Sequence, residues 1–177
     1  MEYLFLHGLG QTAQSWEKTL LSLRNFGSIS KPELFSFLKE SNGSYQELYA
    51  SFVSYCSGMH GPIHLCGLSL GAVLALHYAL DHPQKVASLV LIAPQYKMPK
   101  TLLKAQNLFF RFMPEKAFRD MGITKKQFLT LTNSMLDMDF SERLRISCPV
   151  LILCGEKDRA NQKAAKMLAQ QMPGSEL

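Results

Sequence analysis

Short apolar runs alternate along the chain with segments of helical periodicity. Apolar runs of about 4–8 residues are typical of buried strands, whereas apolar residues spaced three or four apart indicate helices. Five runs predict strands, over residues 2–6, 33–37, 62–68, 86–92 and 149–154. Four segments predict helices, over residues 15–26, 45–59, 70–81 and 161–172. This alternation predicts an α/β fold, a mostly parallel sheet with helices on both faces.

Residues 95–147 interrupt this pattern. The stretch carries no strand signal and is rich in Phe and Met, and Pro99 and Pro114 break it into short helices. It predicts a helical insertion within one domain, because 177 residues fit a single domain and no repeat or low-complexity segment is visible.

The sequence G-L-S-L-G at residues 67–71 stands between a predicted strand and a predicted helix. G-x-S-x-G in that context is typical of a nucleophile elbow, a tight turn that raises a serine above the sheet. A side chain at Gly67 or Gly71 would collide with the neighbouring strand or helix, so glycine is expected at both positions. Ser69 is therefore the candidate nucleophile.

Two other predicted strands end in residues that carry chemistry. The strand at 2–6 runs into His7 and Gly8, and the strand at 149–154 runs into Gly155-Glu156-Lys157-Asp158. A G-x-x-D sequence can be an ordinary polar turn. The carboxyl ends of parallel strands share one edge of a sheet, however, so Asp158 is expected on the same edge as Ser69.

These three motifs, in this order, resemble the α/β-hydrolase superfamily, and residues 81–94 resemble its stretch from the elbow helix into the next strand. The resemblance runs from about residue 2 to residue 177 and is weakest over residues 96–147. It implies an α/β-hydrolase fold in which the insertion at 95–147 forms a helical cap over the active site. The many Phe and Met residues of that cap favour an apolar substrate pocket.

The resemblance also implies roles for individual residues. Ser69 would attack the substrate, and Asp158 would orient a histidine and stabilise its charged form. The backbone N–H groups of Leu9 and Leu70 would form the oxyanion hole. His7 and Gly8 would shape the oxyanion loop. No metal and no organic cofactor is implied.

The histidine of such a triad is the difficulty. Four of the five histidines lie about 12–20 Å or more from Ser69 along the elbow strand or helix, and are expected in packing or surface positions: His60, His64, His77 and His82. His7 lies at the right edge, so a His7–Ser69 dyad stays a minor alternative. In the family the histidine follows a further strand, and Ser175-Glu176-Leu177 resembles the start of that strand. This resemblance places the histidine near residues 180–185. The last strand, the last helix and the general base are therefore expected outside residues 1–177, leaving a sheet edge and apolar surface uncovered.

The expected function is a serine hydrolase that cleaves an ester or thioester of a small apolar carboxylic acid through an acyl-enzyme. Two alternatives stay open. A lyase resembling the menaquinone-pathway enzyme would use the same triad for proton abstraction, and a truncated remnant or binding protein would keep the fold without the chemistry.

Composition and charge restrict the function classes. Hydrophobic residues make up 47% and charged residues 19%, which is ordinary for a globular domain. The net charge of +5 is spread along the chain without a nucleic-acid motif, so no nucleic-acid partner is expected. No signal peptide or membrane span is visible, and the four cysteines show no metal-binding or disulfide pattern. A cytoplasmic enzyme with reduced thiols and a small-molecule substrate is expected, and nothing indicates its oligomeric state.

Overall fold

The computed structural model describes residues 1–23 and 27–177. The strands are β1 (Glu2–Leu6), β2 (Ser28–Ser30), β3 (Ile63–Leu68), β4 (Val86–Ile92) and β5 (Val150–Leu153). They form one parallel sheet in the order β2-β1-β3-β4-β5. A parallel sheet needs a crossover between successive strands, which confirms the α/β class predicted from the alternating runs.

Seven α-helices and four short 3₁₀ helices complete the described part of the chain. The α-helices are α1 (Glu17–Leu21), α2 (Tyr45–Ser57), α3 (Leu70–Asp81), α4 (Lys100–Phe112), α5 (Glu115–Arg119), α6 (Lys125–Ser134) and α7 (Arg159–Gln171). The 3₁₀ helices are Ala13–Trp16, Leu34–Leu38, Pro83–Lys85 and Ser141–Arg143.

The chain forms two compact units. Unit 1 comprises Met1–Pro32, Met59–Tyr96 and Phe140–Leu177, and holds the whole sheet with α1, α3 and α7. Unit 2 comprises Glu33–Gly58 and Lys97–Asp139, and holds α2 and α4 to α6.

Alternation along the strands of unit 1 divides the sheet into a covered face and an open face. On one face Leu4, Leu89 and Leu91 are completely or almost completely buried, and nine of the twelve residues of α3 are buried. The opposite face carries an apolar groove of about 310 Å³. The residues that line it belong to α1, the segments flanking α1 and all five strands: Tyr3, Phe5, Trp16, Thr19, Leu23, Ile29, His64, Leu65, Cys66, Ser88, Val90, Ile92 and Leu153.

Glu176 lies beside β5, at the edge of the sheet. The Ile152 N–H donates to the Glu176 carbonyl over 2.7 Å, and the Glu176 N–H donates to the Val150 carbonyl over 3.0 Å. The bridge between Leu151 and Glu176 is parallel. The predicted start of a strand at residues 175–177 is confirmed as this single bridge.

Unit 2 is organised around Phe128 on α6, whose ring contacts the rings of Phe35, Phe110 and Phe118 at centroid distances of 4.9–6.3 Å. Its neighbour Gln127 donates to the carbonyls of Leu38 and Ser41. These hydrogen bonds tie α6 to the segment before α2.

The N-terminus of α2 is capped by its own side chains. Ser44 Oγ accepts from the Glu47 N–H, and Glu47 Oε2 accepts in return from the Ser44 N–H. This reciprocal pair is a capping box, and it confirms the predicted helix start at Tyr45.

The predicted strand at residues 33–37 is wrong. Leu34–Leu38 is a 3₁₀ helix, and the strand that pairs with β1 is the earlier segment Ser28–Ser30. Leu34, Phe35 and Leu38 are buried, and this spacing of one and then three residues suits a helical turn. A strand would instead have placed Ser36 on the buried face between Leu34 and Leu38.

The predicted helix at residues 15–26 also needs correction. A 3₁₀ turn, Ala13–Trp16, precedes α1, which ends at Leu21. The last part of the prediction, residues 24–26, lies outside the described residues.

The stretch at 95–147 contains α4, α5 and α6, with Pro99 and Pro114 as the residues before α4 and α5. In it the only pairing of strand type among the described residues is an isolated bridge between Lys97 and Asp139. The predicted series of short helices is confirmed. Their role as a cap over an active site stays a prediction.

Candidate active site

Ser69 occupies the turn between β3 and α3 with φ of 52° and ψ of −109°. In the described part of the chain, Ala93 is the one other non-glycine residue with positive φ. Such a conformation costs about 1–3 kcal/mol and persists only where the surrounding structure enforces it. The predicted strained turn at Ser69 is confirmed.

Ser69 is the N-cap residue of α3, yet its side chain makes no capping hydrogen bond. The N-cap residues of α2 and α6, Ser44 and Thr124, have extended backbones and use their hydroxyl oxygens as caps. Ser69, with its positive φ, is the exception among these three caps. Its hydroxyl therefore lies at the positive end of the α3 dipole without serving the helix.

Gly67 and Gly71 are required by close backbone contacts. A β-carbon at Gly67 would lie 2.3 Å from the Gly71 carbonyl oxygen, and one at Gly71 would lie 2.2 Å from the Leu6 carbonyl oxygen. Both contacts are with backbone atoms, which cannot rotate out of the way. The two glycines allow α3 to pack directly on the ends of β1 and β3.

The loop after β1 lies against the Ser69 turn. A β-carbon at Gly8 would lie 3.5 Å from Ser69 Cβ and 3.3 Å from the Leu68 carbonyl oxygen. The Gly8 N–H donates to Gln11 Oε1 over 2.9 Å, so the next amide along, that of Leu9, is the loop's candidate oxyanion donor. The Leu70 N–H is the second candidate, because the first amides of a helix have no partner within it.

His7 is fully buried at the end of β1, where its Nδ1 lies 3.0 Å from the Gly8 carbonyl oxygen. This contact links the ring to the loop that follows. The expected role of His7 in shaping that loop stays a prediction.

Asp158 is the N-cap residue of α7, and its carboxylate is bound on both oxygens. Oδ1 accepts from the Asn161 N–H over 3.2 Å, and Oδ2 accepts from Asn161 Nδ2 over 2.8 Å. Asn161 Oδ1 accepts in turn from Gln95 Nε2 over 2.6 Å. This chain of hydrogen bonds links the turn after β5 to the segment after β4.

Ser69 and Asp158 follow the carboxyl ends of two parallel strands, β3 and β5, and β4 lies between them. The Ser69 N–H donates to the Ile92 carbonyl over 2.9 Å, and the Ala93 N–H donates to the Leu153 carbonyl over 2.7 Å. The three strand ends are thus tied together at one edge of the sheet. The predicted placement of Asp158 on the edge of Ser69 is confirmed, and its catalytic role stays a prediction.

Three residues of this edge have no sequence signal that identifies them: Ala93, Gln95 and Asn161. Ala93 has φ of 49°, which is uncommon for an alanine. Gln95 and Asn161 are 66 residues apart, and their amides meet only because β4 and β5 are neighbours.

The other four histidines have the packing and surface positions expected of them. His64 Nδ1 lies 2.8 Å from Ser88 Oγ, and its ring stacks on Tyr3. His60 is exposed. His77 and His82, at the end of α3 and just after it, contact Phe140 and Tyr78 respectively.

The sequence model of the Alpha/beta hydrolase family matches residues 3–177. The chain belongs to the alpha/beta hydrolase family. This alpha/beta hydrolase is 28% identical over 205 residues to a Haemophilus influenzae protein named as a 2-succinyl-6-hydroxy-2,4-cyclohexadiene-1-carboxylate synthase. The match covers 92% of this chain and 83% of that protein. It is 22% identical over 132 residues to the pimeloyl-[acyl-carrier protein] methyl ester esterase of Vibrio campbellii, covering 73% of this chain and 52% of that esterase.

Solved structures agree with the fold of this alpha/beta hydrolase. The enol-lactonase from Burkholderia xenovorans superposes with a TM-score of 0.82 at 13% identity, and a hydrolase from Pseudomonas aeruginosa with a TM-score of 0.78 at 17% identity. Both matches cover 99% of this chain and 80% of the other. At these identities the likeness shows the fold alone.

No cluster of three His, Cys, Asp or Glu side chains that could hold a metal ion occurs among the described residues of this alpha/beta hydrolase. None of the helices among these residues has the length and apolar character to cross a membrane.

All four cysteines of this alpha/beta hydrolase are free thiols, and Cys66 lies on β3 three residues before Ser69. Burial raises the pKa of Cys66 to about 12. Since the thiolate is the reactive form, alkylation of Cys66 by iodoacetamide at pH 8 is expected to be about 10³-fold slower in the folded chain than in the unfolded chain. Peptide mapping by mass spectrometry before and after denaturation checks this. Equal labelling rates would contradict it.

Proposed function

We propose that this chain is the Ser69-containing part of a serine hydrolase that cleaves an ester or thioester of a small apolar carboxylic acid. The observation that carries the proposal is the strained turn of Ser69. Ser69 lies between two glycines that close backbone contacts require, and its hydroxyl makes no capping hydrogen bond. A serine held in this way at a helix N-terminus is arranged for attack on a carbonyl carbon.

In the proposed reaction Ser69 Oγ attacks the carbonyl carbon of the substrate as its proton passes to an imidazole. The backbone N–H groups of Leu9 and Leu70 stabilise the negative oxygen of the tetrahedral intermediate. The imidazole then gives the proton to the departing alcohol or thiol, which leaves an acyl ester on Ser69. Water then gives a proton to the imidazole and attacks the carbonyl carbon of this ester. The bond from that carbon to Ser69 Oγ breaks, the imidazole returns the proton to Oγ, and the carboxylic acid leaves.

Asp158 is proposed to orient that imidazole. Asn161 holds its carboxylate in place and is itself held by Gln95. The Asp158 turn follows β5, which β4 separates from β3. None of the five histidines is proposed as the imidazole, because their contacts serve packing, the surface or the shape of the loop after β1. The proposal therefore requires a histidine from outside residues 1–177.

Relatives support the substrate class. The names of the enol-lactonase and of the methyl ester esterase describe cleavage of ester bonds. The Phe- and Met-rich stretch at 95–147, which we propose as the cap, supports an apolar acyl group.

A lyase that begins by taking a proton from its substrate is the second candidate. The Haemophilus influenzae relative, at 28% identity, carries the name of a synthase rather than that of a hydrolase. The same serine, imidazole and carboxylate could take a proton from a substrate without forming an acyl ester. Accumulation of an acyl ester on Ser69, seen as a mass increase after mixing with a slow substrate, favours the hydrolase.

The requirement for an outside histidine gives a direct test. The purified 1–177 chain is expected to be nearly inert towards p-nitrophenyl esters, with only the residual rate of about 10³–10⁴-fold over water that oxyanion donors and binding supply. A gene product that extends past residue 177 through a further histidine is expected to be about 10⁶-fold faster. Initial rates of the two proteins measure this difference in activity. The intact mass of the native gene product shows which of the two chains the gene encodes.

Two outcomes would contradict the proposal. Turnover by the 1–177 chain at ordinary enzyme rates, abolished by His7→Ala, would make His7 the base. A native product that ends at residue 177 and is inert would favour the binding-protein alternative.

A further inference from the structure

Helix α4 exposes an apolar face. Leu102, Leu108, Phe109 and Phe112 are 47%, 56%, 65% and 82% exposed. At 100° per residue the four side chains fall within an arc of about 120°. Apolar side chains gathered on one face in this way mark an interaction surface rather than scattered exposure.

The opposite side of α4 packs within unit 2. Leu103 and Asn107 are buried, and Asn107 Nδ2 donates to Asn133 Oδ1 over 2.8 Å. Phe110 meets the Phe128 ring edge to face at 4.9 Å. The helix is thus anchored on one side, and its apolar arc faces away from that anchor.

Cations line one border of the apolar arc. Lys100, Lys104 and Arg111 are exposed and fall within about 40° of one another around the helix, and α4 contains no Asp or Glu. Lys100 pairs with Asp137 at 2.6 Å. The stretch 97–139 carries eight cations and four acids, so its net charge of +4 accounts for most of the +5 of the whole chain.

We propose that α4 docks on an anionic lipid surface. Its four apolar side chains would enter the boundary between headgroups and acyl chains, and its cations would meet the lipid phosphates. An apolar arc bordered by Lys and Arg, on a helix that itself contains no Asp or Glu, has the charge complementarity that an anionic bilayer requires. A 13-residue helix is about 20 Å long, so its face offers far less than the roughly 800 Å² per partner of a stable protein interface.

Vesicle sedimentation of the full 177-residue chain tests the docking. The chain is expected to bind vesicles of phosphatidylcholine that contain about 30% of the anionic lipid phosphatidylglycerol. This binding is expected to weaken as the salt concentration rises. Leu102→Ser/Leu108→Ser is expected to reduce the affinity by at least about tenfold. The matched control, Leu21→Ser/Leu153→Ser, replaces two exposed leucines of unit 1 and is expected to bind as the unmodified chain does.

The charge requirement has its own pair of variants. Lys104→Gln/Arg111→Gln is expected to weaken binding by about tenfold at low salt. Lys163→Gln/Lys166→Gln removes the same charge from exposed positions on α7 and is expected to have little effect. Insertion is read from Phe112→Trp, whose emission is expected to shift to the blue with vesicles, whereas that of the buried Trp16 stays constant.

Several outcomes would overturn the proposal. They are absence of binding by the unmodified chain, equal binding to purely neutral vesicles, and equal losses in the control variants. Light scattering tests whether this face instead joins two copies of the chain. The face would be such a contact if Leu102→Ser/Leu108→Ser dissociated a dimer without reducing vesicle binding.

Discussion

Replacing Ser69 with alanine in the native gene product, which is proposed to carry the further histidine, is expected to reduce kcat by about 10⁶-fold. The reason is the loss of the attacking oxygen. The binding pocket and the oxyanion amides stay, so a residual rate above that of water should remain. Initial rates on p-nitrophenyl esters measure the loss. Alanine tolerates the backbone at this position no worse than serine, so far-UV circular dichroism should be unchanged.

Two control variants separate chemistry from structure. Ser69→Gly also removes Oγ but relieves the positive φ, so equal inactivity of both variants assigns the loss to the hydroxyl. Ser88→Ala removes the hydroxyl that lies 2.8 Å from His64 Nδ1, a Ser–His pair on the open face of the sheet. It is expected to stay active. Activity that survives Ser69→Ala and disappears with Ser88→Ala would make the His64–Ser88 pair the reactive centre.

The turn at Ser69 could be predicted from the sequence because its steric demands appear as residue types. Only glycine fits where a β-carbon would lie 2.2–2.3 Å from a carbonyl oxygen, and both glycines flank the serine at a fixed spacing. The predicted flanking segments differ in length, residues 62–68 before the serine against 70–81 after it, and this difference separates a strand from a helix. A short motif of this kind is local, so no long-range contact is needed to find it.

Residues 33–37 show where a local pattern fails. Five mostly apolar residues are too few to distinguish a strand from a helical turn by period. The contacts decide the outcome, since Leu34, Phe35 and Leu38 are all buried in unit 2 while β1 pairs with the less apolar Ser28–Ser30. Tertiary packing thus outweighs the strand preference of the apolar run.

The partners of Asp158 could not be predicted for a different reason. An amide side chain such as Gln95 or Asn161 is ordinary in any loop, and its role follows only from the placement of the strand ends. The positive φ of Ala93 has no sequence signal either, because alanine does not favour it. Such residues become visible when β3, β4 and β5 are seen as neighbours.

The second large effect concerns Gly71. Gly71→Ala is expected to lower the free energy of unfolding of unit 1 by about 3 kcal/mol or more, because the new β-carbon would lie 2.2 Å from the Leu6 carbonyl oxygen and 2.6 Å from its carbon. Neither atom can rotate away, so α3 must separate from β1 and lose part of its buried face. Since domains have only about 5–15 kcal/mol of stability, a large fraction would be lost. Urea unfolding followed by the fluorescence of Trp16, the single tryptophan and a residue of unit 1, measures the change.

Gly155→Ala is the matched control in the same unit. Its β-carbon would meet only Asp158 Cβ, at 3.8 Å, which is an ordinary contact. Its backbone φ is not positive, so the change is expected to alter stability by less than about 0.5 kcal/mol. Equal urea midpoints for Gly71→Ala and the unmodified chain would show that α3 does not pack against β1 as closely as the 2.2 Å contact requires. The elbow geometry at Ser69 would then lose its main support, because the same contact holds the start of α3 against the end of β1.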